Sequence, residues 1–150
     1  MIRRTAGIAA AAVLTATLLA GCASGPTDED RAGWDDWARQ LTGANGMGVS
    51  GRMAVEVGDD DGVRMDLASP TATDAVELRC IGADRARFTL HYEGTGGEAS
   101  ATQDIVCHNG DPRTPIAIPT SVGSLSALTA VATSPDGEGV WVVLPQLSPR

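Results

Sequence analysis

The chain has 150 residues, with 11 basic against 19 acidic side chains and a formal net charge of −8. That length suits one domain around one modest core. A chain this acidic repels phosphate backbones, so nucleic acid is excluded as a partner. One Phe, one Tyr and three Trp are all the aromatic material available to a core, and there is no lysine.

Residues 1–4 carry Arg3 and Arg4, and residues 6–20 run without charge, with Ile8, Val13, Leu14, Leu18 and Leu19 set among alanines. A basic start, an apolar run and small residues at its end have the form of a secretory signal peptide. The run is shorter than the roughly 20 residues a transmembrane helix needs. It closes on Leu19-Ala20-Gly21-Cys22, which resembles the lipobox of bacterial lipoproteins. The resemblance implies a signal peptide of residues 1–21, cleavage before Cys22, diacylglycerol on the Cys22 thiol and often a further acyl chain such as palmitate on its new amino group. The implied partner is the membrane, through lipid on Cys22, and the implied location is its extracytoplasmic face. Each buried CH₂ contributes about 0.8 kcal/mol, so two acyl chains anchor stably. Thr5-Ala6-Gly7 follows the arginine pair where a twin-arginine signal would be strongly apolar, so general secretion is expected.

Cleavage there takes Arg3 and Arg4 away and leaves 129 residues with nine Arg against 19 acidic groups, a net charge of −10. With Cys22 given to lipid, Cys80 and Cys107 remain as an even pair in an oxidising compartment and are expected to form a disulfide. A metal site from these two cysteines with His91 or His108 lacks any Cys-x-x-Cys spacing.

Residues 22–30, centred on Gly25-Pro26, read as the lipidated Cys and a short tether that keeps the domain near the bilayer. Residues 31–42 predict one short amphipathic helix, because Trp34, Trp37, Ala38 and Leu41 share a face. Thr27, Asp28 or Asp30 is its expected cap, Gly33 weakens it and Gly43 ends it. The two rings are expected to pack on the β domain, the alternative being the membrane interface.

From residue 49 to 145 the pattern is strands and turns. Residues 52–57 alternate with Met53, Val55 and Val57 on one face, and residues 63–67 with Val63, Met65 and Leu67. Residues 58–62 then read as their hairpin turn. Strands follow at 75–81, 87–92 and 99–107, with residues 93–98 as a glycine-rich loop. A short edge strand at 115–119 is fenced by prolines, and strands at 125–133 and 139–144 complete the set. Residues 140–144 are apolar on both faces, which places them centrally in a sheet. Residues 146–150 read as a tail. The faces carrying Cys80 and Cys107 both point inward, in keeping with a bridge.

The expected fold is mainly β: an antiparallel β-sandwich, Greek key or jelly roll, of about eight strands with one short N-terminal helix. Arg79-Cys80-Ile81-Gly82, Val106-Cys107 and Gly139-Val140-Trp141 loosely resemble small β-sandwich lipoproteins of high-GC Gram-positive bacteria. That group supplies no catalytic residues to carry over.

No nucleophile motif stands out. His91 lies outward on a strand, His108 follows a cysteine, and the serines sit in turns without a Gly-x-Ser-x-Gly elbow. No cofactor motif is present, because the glycines at 94, 96 and 97 open no helix. Asp59, Asp60 and Asp61 are the densest oxygen cluster, but they lack the spacing and distal Glu of a Ca²⁺ loop. The expected function is a non-enzymatic binding module of the cell envelope, with a protein or polysaccharide partner. The alternatives are a structural or protective domain without a specific ligand, or a carbohydrate-binding module argued from fold analogy alone.

Overall fold

The computed structural model describes residues 25–58, 62–111 and 113–148. The expected signal peptide, Cys22 and the first residues of the expected tether lie outside them, as do Asp59, Asp60 and Asp61. The helix α1 spans Asp28–Asn45, and the strands are β1 (Val49–Arg52), β2 (Val63–Thr71), β3 (Thr73–Ile81), β4 (Arg85–Gly94), β5 (Gly97–Val106), β6 (Thr114–Ala117), β7 (Leu125–Thr133) and β8 (Val140–Leu147). They form two four-stranded antiparallel sheets, ordered β1-β8-β3-β6 and β2-β7-β4-β5.

The expected β-sandwich with one helix is what the chain forms, and its strand order is that of a jelly roll. β4 pairs with β5, β3 with β6, β2 with β7 and β1 with β8. The chain is thus one long antiparallel ribbon centred on the β4–β5 turn. Two further pairings, β3 with β8 and β4 with β7, roll that ribbon into two facing sheets.

Alternation fills the space between the sheets. Ala86, Phe88, Leu90 and Tyr92 of β4 face Leu78 and Cys80 of β3 and Trp141 and Val143 of β8 in one buried cluster. Phe88 meets Trp141 edge to face at 6.1 Å between ring centres. The Trp141 indole N–H donates to the Arg52 carbonyl at 3.1 Å, so the largest core side chain buries no unpaired donor. The Cys80–Cys107 disulfide, with Cα atoms 4.7 Å apart, ties β3 of the first sheet to the end of β5 in the second.

The other face of β8 is equally apolar. Val140, Val142 and Leu144 form a second buried cluster with Ala38, closed over by Trp34, Trp37, Leu41 and Ile81. So α1 lies on the outer face of the first sheet, and its tryptophans pack on the domain, as their spacing predicts. Both rings need a glycine beneath them. A Cβ on Gly82 would stand 2.8 Å from the Trp34 ring, and one on Gly110 would stand 2.7 Å from Trp37, while both glycines hold positive φ. Arg79 stacks 5.6 Å above Trp37 and donates to the Gly110 carbonyl at 2.9 Å. Arg31 reaches Glu138 at 3.1 Å, which ties the start of the helix to the β7–β8 loop.

Several sequence expectations are corrected. The helix runs past Gly33 and Gly43: Thr27 caps it with a reciprocal Thr27–Asp30 capping box, and Gly46 ends it in the left-handed conformation. Burial of its apolar face outweighs the cost of about 1 kcal/mol for each internal glycine. Residues 52–57 are not a strand paired with 63–67. β1 ends at Arg52 and belongs to the first sheet, and β2 belongs to the second, so the chain crosses between sheets there. Met53 is buried, Ala54 makes one parallel bridge to Thr133, and Val55 and Val57 are exposed. Residues 93–98 are not an open loop but a tight hairpin, with Gly94 opposite Gly97. Its turn is pinned because Thr95 N–H donates to the Ser124 carbonyl and Gly96 N–H to the Val122 carbonyl. Pro145 to Leu147 belong to β8 and not to a tail.

Two outcomes follow. The Cys80–Cys107 bridge closes a 27-residue separation, which the chain-entropy relation makes worth about 3.5 kcal/mol. Reduction, or the paired Cys80→Ala and Cys107→Ala replacement, should lower the urea-unfolding free energy by about that amount, and unreduced protein should show no free thiol at either position. Tyr92 is the only tyrosine, and its fully buried hydroxyl has no hydrogen-bond partner among the described residues. Burial pushes its pKa up to about 12. The folded state holds this proton more tightly than the unfolded one. Its contribution is therefore complete below about pH 10, the usual tyrosine pKa, and is lost as pH rises through the folded value. Ultraviolet titration of the tyrosinate should show a transition near pH 12 in the folded protein.

Candidate functional site

The helix covers one sheet and leaves the other bare. The outer face of β2-β7-β4-β5 carries Arg85, Arg87, Thr89, His91 and Glu93 from β4, and Glu98, Ser100, Thr102 and Asp104 from β5. Register sets them in rows. Arg87 stands opposite Asp104 and Thr133, Thr89 opposite Thr102 and Val131, and His91 opposite Ser100 and Thr129.

Ion pairs knit these rows together. Arg87 binds both oxygens of Asp104, at 2.8 and 3.1 Å. Arg64 of β2 reaches over β7 to grip the Glu93 carboxylate with two hydrogen bonds, and it also bonds Asp66 at 2.9 Å. The hydrogen bonds from Arg64 and Arg87 hold the Glu93 and Asp104 carboxyls below the usual carboxylate range. The face is flat, polar and close to charge-balanced.

His91 shares a contact set that sequence reasoning did not identify. Its Nδ1 lies 2.9 Å from the Ser100 hydroxyl, and its Nε2 lies 3.7 Å from the Glu98 carboxylate. A hydroxyl, an imidazole and an acid in line are the parts of a nucleophilic triad. Here they stand on an open strand face. The clefts lined by Val55 and Arg85, by Met65 and Leu67, and by Asp35 and Arg39 all lie away from Ser100. His108 is not brought to this group: it sits in the 3₁₀ turn His108–Gly110, whose Gly110 packs on Trp37 beside the covered sheet.

No trio of His, Cys, Asp or Glu able to hold a metal occurs among the described residues. Every aromatic ring of the chain is buried or half-buried: Phe88, Tyr92 and Trp141 between the sheets, Trp34 and Trp37 under the helix. The bare face therefore offers no ring on which a sugar could stack. Among the described residues no helix is long and apolar enough to cross a membrane.

Val55, 62% exposed, lies beside the Arg85–Arg87 end of the bare sheet. A cleft of about 400 Å³ opens there, lined by Val55, Arg85, Ala86, Arg87, Asp104, Thr133, Ser134 and Pro135. No pattern along the chain announces it, because it joins four segments whose neighbourhood depends on register. The chain matches no protein-family model, no curated protein and no solved structure.

The carboxyls of Glu93 and Asp104 give an acid-stability outcome. Their folded pKa values are depressed, so the stability they add is present above the unfolded carboxylate pKa of about 4 and is lost as pH falls through the folded values. The melting temperature should drop as pH falls below about 4. The Arg64→Gln, Arg87→Gln double variant should show a shallower drop.

Proposed function

We propose that this chain is a lipid-anchored, non-enzymatic binding module on the extracytoplasmic face of a bacterial cell membrane. The observation that carries the reading is the Leu19-Ala20-Gly21-Cys22 motif at the end of a charge-free apolar run. Thr27, the cap of α1, follows Cys22 after only four residues. Even fully extended, that spacer spans no more than about 18 Å. A lipid on Cys22 would thus hold the sandwich close to the bilayer. The Cys80–Cys107 disulfide supports an oxidising compartment.

The bare sheet supports the binding half of the reading. The helix covers the other sheet, and Arg64, Arg87, Glu93 and Asp104 on this one are held in ion pairs. Such a face suits an envelope protein better than a polysaccharide, because no aromatic platform is exposed.

Replacing Cys22 with Ala tests the anchor. The wild-type chain should partition with membranes and incorporate labelled palmitate. The Cys22→Ala chain should lose both and appear in the soluble extracytoplasmic fraction. Continued tight membrane association of that variant would overturn the reading.

A further inference from the structure

Residues 52–57 have a strong strand pattern, yet β1 ends at Arg52 and only a single bridge from Ala54 to Thr133 ties the rest of the segment to a sheet. Val55 and Val57 are 62% and 51% exposed, and Val106, which stands opposite Arg85 in the β4–β5 ladder, is 37% exposed. These are three of the four large hydrophobic side chains exposed among the described residues. Exposed apolar side chains gathered at one place mark a surface that something covers. Val55 lines a cleft with Ala86 and Pro135, and Val106 is the ladder partner of Arg85 in the same cleft. Its volume of about 400 Å³ falls within the range of small-molecule sites.

The charge of the cleft runs against that of the protein. Two guanidinium groups and one carboxylate line it, in a chain whose net charge is −8. Arg87 is spent on Asp104. Arg85 is the only arginine among the described residues whose side chain makes neither a hydrogen bond nor an ion pair. It is near enough to Asp104 to help lower that carboxyl's pKa. The acids next in sequence, Glu56, Asp84 and Asp136, do not line the cleft. A cation left free amid an excess of acids, beside apolar walls, is half of a binding pair. The Thr133 hydroxyl, also without a bond among the described residues, stands on the same wall. The Ser134 hydroxyl is committed to the Glu138 carbonyl at 2.9 Å.

We propose that this cleft binds a small carboxylate bearing a short aliphatic chain, with the carboxylate on Arg85 and Thr133 and the chain against Val55, Ala86 and Pro135. One free guanidinium suits a monoanion. The Asp104 carboxylate beside it repels a phosphate dianion. The proposal rests on the reading of the chain as a binding module, not on its lipid anchor. It names the ligand class that the module takes at this end of the bare sheet.

The test is a ligand-observed NMR titration of the full chain in lipid nanodiscs at neutral pH, with protein-free nanodiscs as background. The probes are hexanoate, hexanol, acetate and inorganic phosphate. Hexanoate should bind saturably, with hexanol and acetate each weaker by about tenfold or more, since each lacks one half of the recognition. Arg85→Gln should weaken hexanoate by at least about tenfold and leave hexanol unchanged. Val55→Asp, at an exposed position that folding tolerates, should abolish hexanoate binding without altering the melting temperature. Unsaturable hexanoate, equal binding by Arg85→Gln, or phosphate binding as tight as hexanoate would each overturn the proposal. Failure here would leave the membrane fractionation of Cys22→Ala unaffected, and the converse also holds.

Discussion

The structure depends on one strand having no polar face. In β8, Trp141 and Val143 point between the sheets, and Val140, Val142 and Leu144 point the other way. A strand like this is stable only when both faces are covered, because five adjacent apolar side chains cannot alternate between core and water. The facing sheet covers one side. Only α1 is available for the other, and its Trp34, Trp37, Ala38 and Leu41 stripe fits that task. The arrangement then has a fixed consequence. The helix is spent on the first sheet, and the second sheet, in which β4 alternates exposed or half-buried with buried residues, meets water.

The interlocking details serve the same packing. Gly82 and Gly110 let the two tryptophans approach the sheet, and Arg79 covers Trp37 from outside. The disulfide joins the two sheets on the side away from β1. For a domain with five aromatic residues, these cross-ties offset a core built largely from alanine, valine and leucine. Sequence periodicity made the packing legible before any coordinates. The helical spacing of the tryptophans, the double-sided apolarity of residues 140–144 and the inward cysteines each reported a local pattern that the tertiary fold respects.

Where local pattern and structure part, the cause is long-range. Residues 52–57 alternate as a strand should, but which sheet a strand joins is set by β7 and β8, some eighty residues further on. The Arg64–Glu93 pair, the Ser100–His91–Glu98 line and the Arg85 cleft likewise come from register between separate strands, so no spacing in the sequence announces them. The tight β4–β5 hairpin was obscured by its three glycines, 94, 96 and 97, which read as looseness and in fact permit close backbone approach to residues 121–124. The segment whose local pattern is least satisfied, Val55 to Val57, is also the one that borders the cleft. A well-patterned sequence fails its own pattern mainly where function takes precedence over packing.

The whole functional reading is tied to the chemistry of one residue before the helix. On the proposed reading, lipid on Cys22 would leave Cys80 and Cys107 to pair, would hold the domain within a short spacer of the bilayer and would make the bare sheet face an extracytoplasmic surface. The most direct measurement is mass spectrometry of the N-terminal tryptic peptide from protein extracted from membranes. Cleavage after Arg31 should release a peptide that begins at Cys22 and carries the mass of a diacylglyceryl group, with or without an additional N-acyl chain. A peptide that begins elsewhere, or one that begins at an unmodified Cys22, would contradict the anchored module.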